Sequence, residues 1–475
     1  MVGHLRFVMI RIFAFMLFFS FLPIHTQASE AKNHPLYQMD VTYHPNQDLV
    51  TGHMVLTLPV TSTDSLKEIY FHLYPNVFQK WKYGDESKPT KPGNIQVSDV
   101  RANGTSVKES VKDTIMKVPL PKPVSKGQTV KVEMDFRLEL PRGGTRLNTF
   151  KHTAFLAQWY PMLAVKDQEG WHTDPYTTTG DPFYSQMSDF EITFRLPHGY
   201  HVISTAKDSN TKYRSPVVLK QKNVRDFAAV ITKDYQVVRG KQGNVEVNLW
   251  YLKGMEEVVK ELHDAAVSGM KFYSEKFGPY PYEEIDVVLG ETGYGIAGME
   301  YPGLVTSIPL IPTDNGEKPA VNVVVHELAH QWWYGVVGND QVKEPWLDEG
   351  LTTFSEFFYM QKMMKEDERE LLKRAAKRTD EIHQAVGISS AESLYHYPES
   401  IYGMMVYIRP AAMMYDLIEQ VGEEKVVEIL RTYYQQYRFH TATTQDFIRT
   451  ANEVTKKDLT PFFEKWLYFK GKSVT

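Results

Sequence analysis

The chain has 475 residues, 42% of them hydrophobic and 13% aromatic, enough to bury the cores of two or three domains. Its 53 basic and 58 acidic residues give a net charge of −5, and no dense basic stretch offers the electrostatic footprint of a nucleic-acid binder. There is no cysteine, which excludes disulfides, thiol nucleophiles and thiolate metal sites and leaves histidine and carboxylates as the strong ligands.

At the N-terminus His4, Arg6 and Arg11 precede an apolar stretch at residues 12–24, followed by Thr26, Gln27, Ala28 and Ser29. A basic start, a short apolar core and small residues at the exit describe a secretory signal peptide. The stretch falls short of the ~20 apolar residues of a stable membrane span. Residues 1–29 are therefore expected to be a signal peptide or an N-terminal anchor, with the remainder extracytoplasmic, secreted or membrane-anchored.

Residues 35–243 read as an all-β domain. The segment 130–140 alternates apolar and polar residues until its last position, the period of a sheet with one wet face. Phe190, Ile192, Phe194 and Leu196 repeat the alternation, as do Met54, Leu56 and Leu58. Residues 244–475 read as a second, mostly helical domain. Val258, Val259, Leu262, Ala265, Ala266, Met270 and Tyr273 make a helical stripe over 256–277. A short buried strand is expected at 285–289 and a glycine-rich turn at 290–298. Further helices are expected at 320–334, 346–362, 366–384, 407–421, 424–437 and 444–455.

The chemistry concentrates in His326-Glu327-Leu328-Ala329-His330. Residues i and i+4 share a helix face, so both imidazoles can reach one ion, while Glu327 stands beside it. A carboxylate there can accept a proton from water acidified by the ion. Val323, Val324, Val325, Leu328 and Ala329 make this helix a buried one, and buried polar groups are costly unless paired or metal-bound. Beyond His330, with eighteen residues between it and Glu349, Trp346-Leu347-Asp348-Glu349-Gly350 opens a second helix behind Pro345. That interval fits a helix end, a loop and the first turn of an antiparallel helix, so Glu349 can complete a His-His-Glu zinc site with one position open to water. Glu356, two turns beyond Glu349, is the candidate acceptor for the free N–H of a ligand histidine. Asp348 is read as a helix-start residue rather than a ligand.

His-Glu-x-x-His, eighteen residues and then Glu within Trp-Leu-x-Glu-Gly resembles the gluzincin aminopeptidase family, the aminopeptidase N and leukotriene hydrolase type. Ala297-Gly298-Met299-Glu300 resembles that family's Gly-x-Met-Glu-Asn segment. The resemblance implies that Glu300 binds the free α-amine of a peptide while the backbone of Ala297, Gly298 and Met299 forms an edge strand against it. Tyr407-Ile408-Arg409-Pro410-Ala411 resembles the Tyr-x-Lys-Gly-Ala segment, whose tyrosine steadies the tetrahedral intermediate; Tyr402 is a reserve candidate. Gln158, in Gln158-Trp159-Tyr160-Pro161, is implied to help line the pocket for the first side chain. This sequence departs from the family at Tyr301, which replaces asparagine, and at Arg409 and Pro410, which replace Lys-Gly. The chain looks like a short member lacking the family's large C-terminal helical domain, so its cavity is expected to be more open.

The expectation is a multi-domain α+β protein: a saddle- or sandwich-like β domain followed by a thermolysin-like catalytic domain with one zinc ion. The resemblance implies a peptide substrate with a free N-terminus, and no nucleic acid or obligate protein partner. A thermolysin-type endopeptidase and an inactive peptide-binding homologue remain as alternatives. Glu300 speaks for the exopeptidase, because a carboxylate near the metal grips a protonated amine by a charge-assisted hydrogen bond.

Overall fold

In the computed structural model, which describes residues 34–84, 88–208, 214–290, 297–309 and 319–470, the alternation at 130–140 folds as the strand Thr129–Glu139. Val130, Val132, Met134, Phe136 and Leu138 are buried, whereas Lys131, Asp135 and Arg137 face water. Fully burying such an apolar side chain stabilises by about 1.5–3 kcal/mol, so a one-residue slip in register would forfeit most of this strand's contribution. The strand lies inside a seven-stranded sheet ordered Val217–Val224, Ser188–Arg195, Leu36–His44, Leu49–Pro59, Thr129–Glu139, Asn94–Ala102, Thr105–Ser106. Leu36–His44 runs parallel to Ser188–Arg195; the other neighbours are antiparallel. Two four-stranded sheets share its core, since Phe71, Val118, Leu156 and Ile231 lie in one buried cluster with Val132 and Ile192. Residues 1–29 and most of the glycine-rich turn at 290–298 lie outside the described residues. Among the described residues no helix is long and apolar enough to cross a membrane.

A mixed five-stranded sheet follows, ordered Gln236–Gln242, Val245–Tyr251, Glu284–Leu289, Leu304–Ser307, Gly298–Met299. The expected boundary at residue 243 falls in the turn of its first hairpin, and both strands of that hairpin belong to this sheet. Helices α1 (Glu256–Lys276), α2 (Pro319–Ala329) and α3 (Trp346–Tyr359) come next, then α4 (Arg369–Val386), α5 (Glu399–Tyr402) and α6 (Arg409–Val421). The chain closes with α7 (Glu423–Tyr437), α8 (Thr444–Thr455) and α9 (Thr460–Tyr468). The stripe of α1 is buried with Leu249 and Val287 of the sheet and with Val325 and Leu328 of α2. This β-rich first half and helical second half agree with the expected α+β class.

Three departures from the expected helices matter for the site. The helix expected to reach 334 ends at Ala329, and Tyr334 takes φ 118. The side chain of Gln331 explains part of this: its Nε2 donates to the carbonyl of Tyr301 at 3.1 Å and its Oε1 accepts from the Gly303 amide at 2.9 Å. The unwound turn thus staples the segment after Glu300 to the end of α2. Second, the helix expected from 407 begins at Arg409, behind a π-helical turn over Gly403–Ile408. Pro410 has no N–H for the carbonyl of Val406 and its ring crowds that group, so the turn widens there. Third, α9 is a helix that no periodicity in the sequence announces. Its Pro461 suits a first turn, but nine residues holding two adjacent phenylalanines show no clear stripe.

Arg409 is 1% exposed and points away from the cavity. Its Nη1 bonds Asp380 Oδ1 at 2.8 Å and Thr379 Oγ1 at 2.6 Å, and its Nε bonds the Trp466 carbonyl at 2.7 Å. It ties α6 to α4 and α9. Pro410 packs against Gly350, where any Cβ would come 2.5 Å from the proline Cβ. The two departures from the family segment are therefore packing residues, and they set how close α6 lies to α3.

Candidate metal centre

His326 and His330 lie four residues apart at the end of α2, and Glu349 lies in the first turn of α3. His326 Nε2 and His330 Nε2 are 3.2 Å apart, and Glu349 Oε2 lies 3.5 Å from the first and 3.3 Å from the second. Zinc bonds of ~2.0–2.1 Å at tetrahedral angles separate ligand atoms by roughly 3.3 Å, so the three donors already stand at the corners of such a face. Glu349 Oε2 is buried without a hydrogen-bond partner, an orphan that a cation would satisfy. Two imidazoles and one carboxylate are also the donor chemistry zinc prefers.

The other ring nitrogens are held as well. His326 Nδ1 is 3.0 Å from Glu356 Oε2, whose Oε1 accepts from Asn322 at 3.0 Å. His330 Nδ1 is 2.7 Å from Asp348 Oδ1, with Gln341 donating to Asp348 Oδ2 at 3.1 Å. Glu356 thus stands where the sequence places it. Asp348 sits in the first turn of α3, as the sequence reading has it, and its carboxylate in addition orients the second ligand histidine. The signal was present, since two ligand histidines call for two such partners.

Burial disfavours charge on His326, but the neighbouring carboxylates of Glu349 and Glu356 outweigh it and lift the imidazole to about 10. Burial works to raise Glu349, yet the two histidines hold its carboxyl well below the usual range. Burial raises Asp348 to about 6 against the pull of His330. Carboxylates crowded around two imidazoles create a demand for positive charge at one point, which a divalent cation meets.

Glu327 lines a cavity of about 850 Å³ together with His326, His330, Glu349, Glu300 and Tyr407. Burial pushes its carboxyl up to about 7, opposed by the two histidines. Gly298, on the edge strand Gly298–Met299, faces it so closely that a Cβ there would come 2.4 Å from Glu327 Oε1. Gly298→Ala is therefore expected to push the base aside. Misplacement by about 1 Å can cost ~10²-fold, so kcat should fall by that order with zinc content unchanged, as steady-state kinetics and metal analysis would show.

Glu300 is 5% exposed, and its carboxylate lies within 4.8 Å of a ring nitrogen of His330 and an oxygen of Asp348. Burial and then Asp181 raise its pKa well above the ordinary range. Tyr301 turns the other way, into a cluster with Phe155, Trp250 and Leu304, so this departure from the family segment does not shape the cavity. Ala297 and Met299 also line the cavity. The Tyr407 hydroxyl donates to Glu349 Oε1 at 2.6 Å, and Tyr402 packs against Tyr407 with ring centroids 5.7 Å apart. The tyrosine therefore holds the metal-ligand carboxylate by Oε1, while Oε2 faces the two imidazoles. Gln158 is not brought to the main cavity: its amide donates to Asp226 at 2.8 Å. The β domain reaches the cavity instead through the ion-paired Arg146 and Asp181, to which the sequence reading gives no role.

Comparison with known proteins gives the same picture. Residues 262–466 match the peptidase family M1 domain. Mitochondrial aminopeptidase 2 of Saccharomyces cerevisiae is 22% identical over 371 residues, covering 69% of this chain and 38% of that protein. Aminopeptidase B of Mus musculus is 22% identical over 442 residues, covering 74% of this chain and 67% of that protein. The chain thus spans little more than a third of the length of the yeast relative. A crystallised variant of an M1 zinc metallopeptidase from Deinococcus radiodurans shares the fold, with a TM-score of 0.68, 17% identity and coverage of 93% of this chain and 95% of that one. Ligand spacing, site geometry and these likenesses agree on a peptidase family M1 domain over residues 262–466, preceded by a β-rich domain, in a chain similar to the gluzincin aminopeptidases.

Proposed function

We propose that this protein is a zinc aminopeptidase that removes N-terminal residues from peptides. His326, His330 and Glu349 would hold the ion, which polarises the scissile carbonyl and acidifies the attacking water. Glu327 accepts the water's proton and delivers it to the leaving nitrogen. The Tyr407 hydroxyl, now on Glu349, is the nearby donor for the developing oxyanion. The edge strand Gly298–Met299 offers its backbone to the peptide.

One observation carries the exopeptidase reading. The Glu300 carboxylate sits within 4.8 Å of His330, a metal ligand. One residue advances a chain by about 3.8 Å, so an ammonium gripped by Glu300 leaves only the first peptide bond at the ion. Desolvation makes that buried carboxylate an eager partner for an incoming cation. Assays on an aminoacyl reporter and its N-acetylated form test this. The free amine should be hydrolysed and the acetylated form left intact, and Glu300→Ala should remove that preference. Comparable turnover of the blocked reporter by the parent enzyme would instead establish the endopeptidase alternative.

We infer further that the enzyme works outside the cytoplasm, secreted or tethered by its N-terminal segment. The basic residues His4, Arg6 and Arg11 ahead of the apolar stretch at 12–24 support this reading. N-terminal sequencing of protein exported by its host tests it: a start near residue 29 identifies a cleaved signal, and an intact Met1 in a membrane fraction an anchor.

A further inference from the structure

The β domain carries one carboxylate into the catalytic cavity. Asp181 is 8% exposed and lines that cavity with Glu300, Glu327 and Tyr407. Its loop is fixed on both sides. Gly180 takes φ 60 and approaches α5 so closely that a Cβ would come 2.3 Å from the Tyr402 hydroxyl. The carbonyl of Pro182 accepts from the Tyr74 hydroxyl at 3.0 Å. Arg146 pairs through Nη1 with Asp181 Oδ1, and its guanidinium rests over the Phe183 ring, 4.7 Å from the centroid. Asp181 Oδ2 accepts no hydrogen bond among the described residues.

Glu300 makes an independent observation. It is more than nine-tenths buried and opens on the same cavity, yet neither oxygen of its carboxylate has a hydrogen-bond partner among the described residues. A buried carboxylate without a partner is costly unless a cation meets it. Asp181 and Glu300 also share a smaller cavity with Arg146, Phe183 and Met299. After burial itself, Asp181 is the group that most raises the Glu300 carboxyl, so the two negative charges lie close together. Among the described residues Arg146 is the only lysine or arginine lining the catalytic cavity. Two carboxylates and one guanidinium leave this wall short of one positive charge. Gln158, the polar residue that the sequence offers from the β domain, is engaged by Asp226 and leaves the position to Asp181.

We propose that Asp181, oriented by Arg146, is the β domain's half of an amine clamp, its Oδ2 and the Glu300 carboxylate together holding the α-ammonium of the peptide. The proposal rests on the aminopeptidase reading and names a second residue that enforces it. An ammonium brings the one missing charge, and its three N–H donors serve both carboxylates with one to spare. Acceptors from two domains fix the direction of the amine as well as its distance from the ion, which a single carboxylate does not. Arg146 keeps Asp181 ionised and aimed by holding Oδ1, so that Oδ2 is the oxygen left for substrate.

The test compares the zinc-loaded parent with Asp181→Asn on alanyl, leucyl and arginyl reporters. A hydrogen bond to a charged group accounts for about 10–100-fold in binding, so KM should rise by that order for all three reporters, with kcat changed far less and zinc content unchanged. If Asp181→Asn folds poorly because Arg146 is left unpaired, the double variant Asp181→Asn/Arg146→Gln removes both charges and should show the same rise. An unchanged KM, or a loss confined to kcat, would overturn the proposal. So would a rise confined to the arginyl reporter, which would make Asp181 a reader of the first side chain. The N-acetylated reporter keeps the two readings apart. Its ready hydrolysis by the parent defeats the aminopeptidase reading, whereas a parent selective for the free amine beside an indifferent Asp181→Asn defeats the clamp alone.

Discussion

Glu327→Gln is expected to lower kcat by about 10²–10⁴-fold while zinc content stays at one per chain. The amide is nearly isosteric and cannot accept the proton that the attacking water must lose. The residue is 7% exposed and faces Gly298 across the cavity, so the substitution disturbs chemistry with little change in packing. Its pH profile adds a second readout. Burial holds the Glu327 carboxyl at about 7 against the pull of His326 and His330, and only the ionised form can act as a base. Turnover should therefore rise with pH on an acid limb governed by this group, lowered toward acid when the cation is bound. The limb should vanish from the residual activity of the variant. A variant with unchanged kcat would remove Glu327 from the reaction.

Glu349→Ala is expected to empty the centre. It deletes one of three donors whose ligand atoms stand 3.2–3.5 Å apart, and it leaves the Tyr407 hydroxyl without its acceptor. Loss of a supporting carboxylate behind a ligand histidine costs ~10–100-fold in metal affinity, and loss of a ligand itself should exceed that. Purified variant should carry well under one zinc per chain, and activity should fall with the metal. The melting temperature of the parent should drop on chelation, whereas that of the variant should barely move, because a ligand that binds only the folded state stabilises it by mass action. Full zinc occupancy with intact turnover in Glu349→Ala would defeat the assignment of the centre.

Tyr407 joins these two residues. Its hydroxyl lies on the ligand carboxylate and its ring runs nearly parallel to that of His326, 6.1 Å away. Rotating it off Glu349 toward an oxyanion exchanges one charge-assisted bond for another, so the residue can steady the ligand at rest and the developing charge during reaction. The widened turn at Gly403–Ile408, fixed by Pro410 against Gly350, is what carries the hydroxyl to this position.

The amino-acid sequence by itself determined what short-range periodicity encodes. Two imidazoles four residues apart on a helix must share a face, and a carboxylate in the first turn of the next helix can reach them; the converging donors of His326, His330 and Glu349 follow. The alternation over 130–140 likewise fixed a strand and its buried face, because strand geometry allows no other division. Only the tertiary structure decided which distant groups meet. Asp348 behind His330, Gly298 against Glu327, Tyr407 on Glu349 and Asp380 around Arg409 are pairs 18 to 58 residues apart in the chain. Their meeting depends on how closely helices and edge strands pack, and packing depends on side-chain volumes summed over the whole core rather than on any local repeat. Gln158 shows the converse: the motif around it reads clearly, yet a buried hydrogen bond to Asp226 turns its amide out of the cavity, and Arg146 and Asp181 stand there instead.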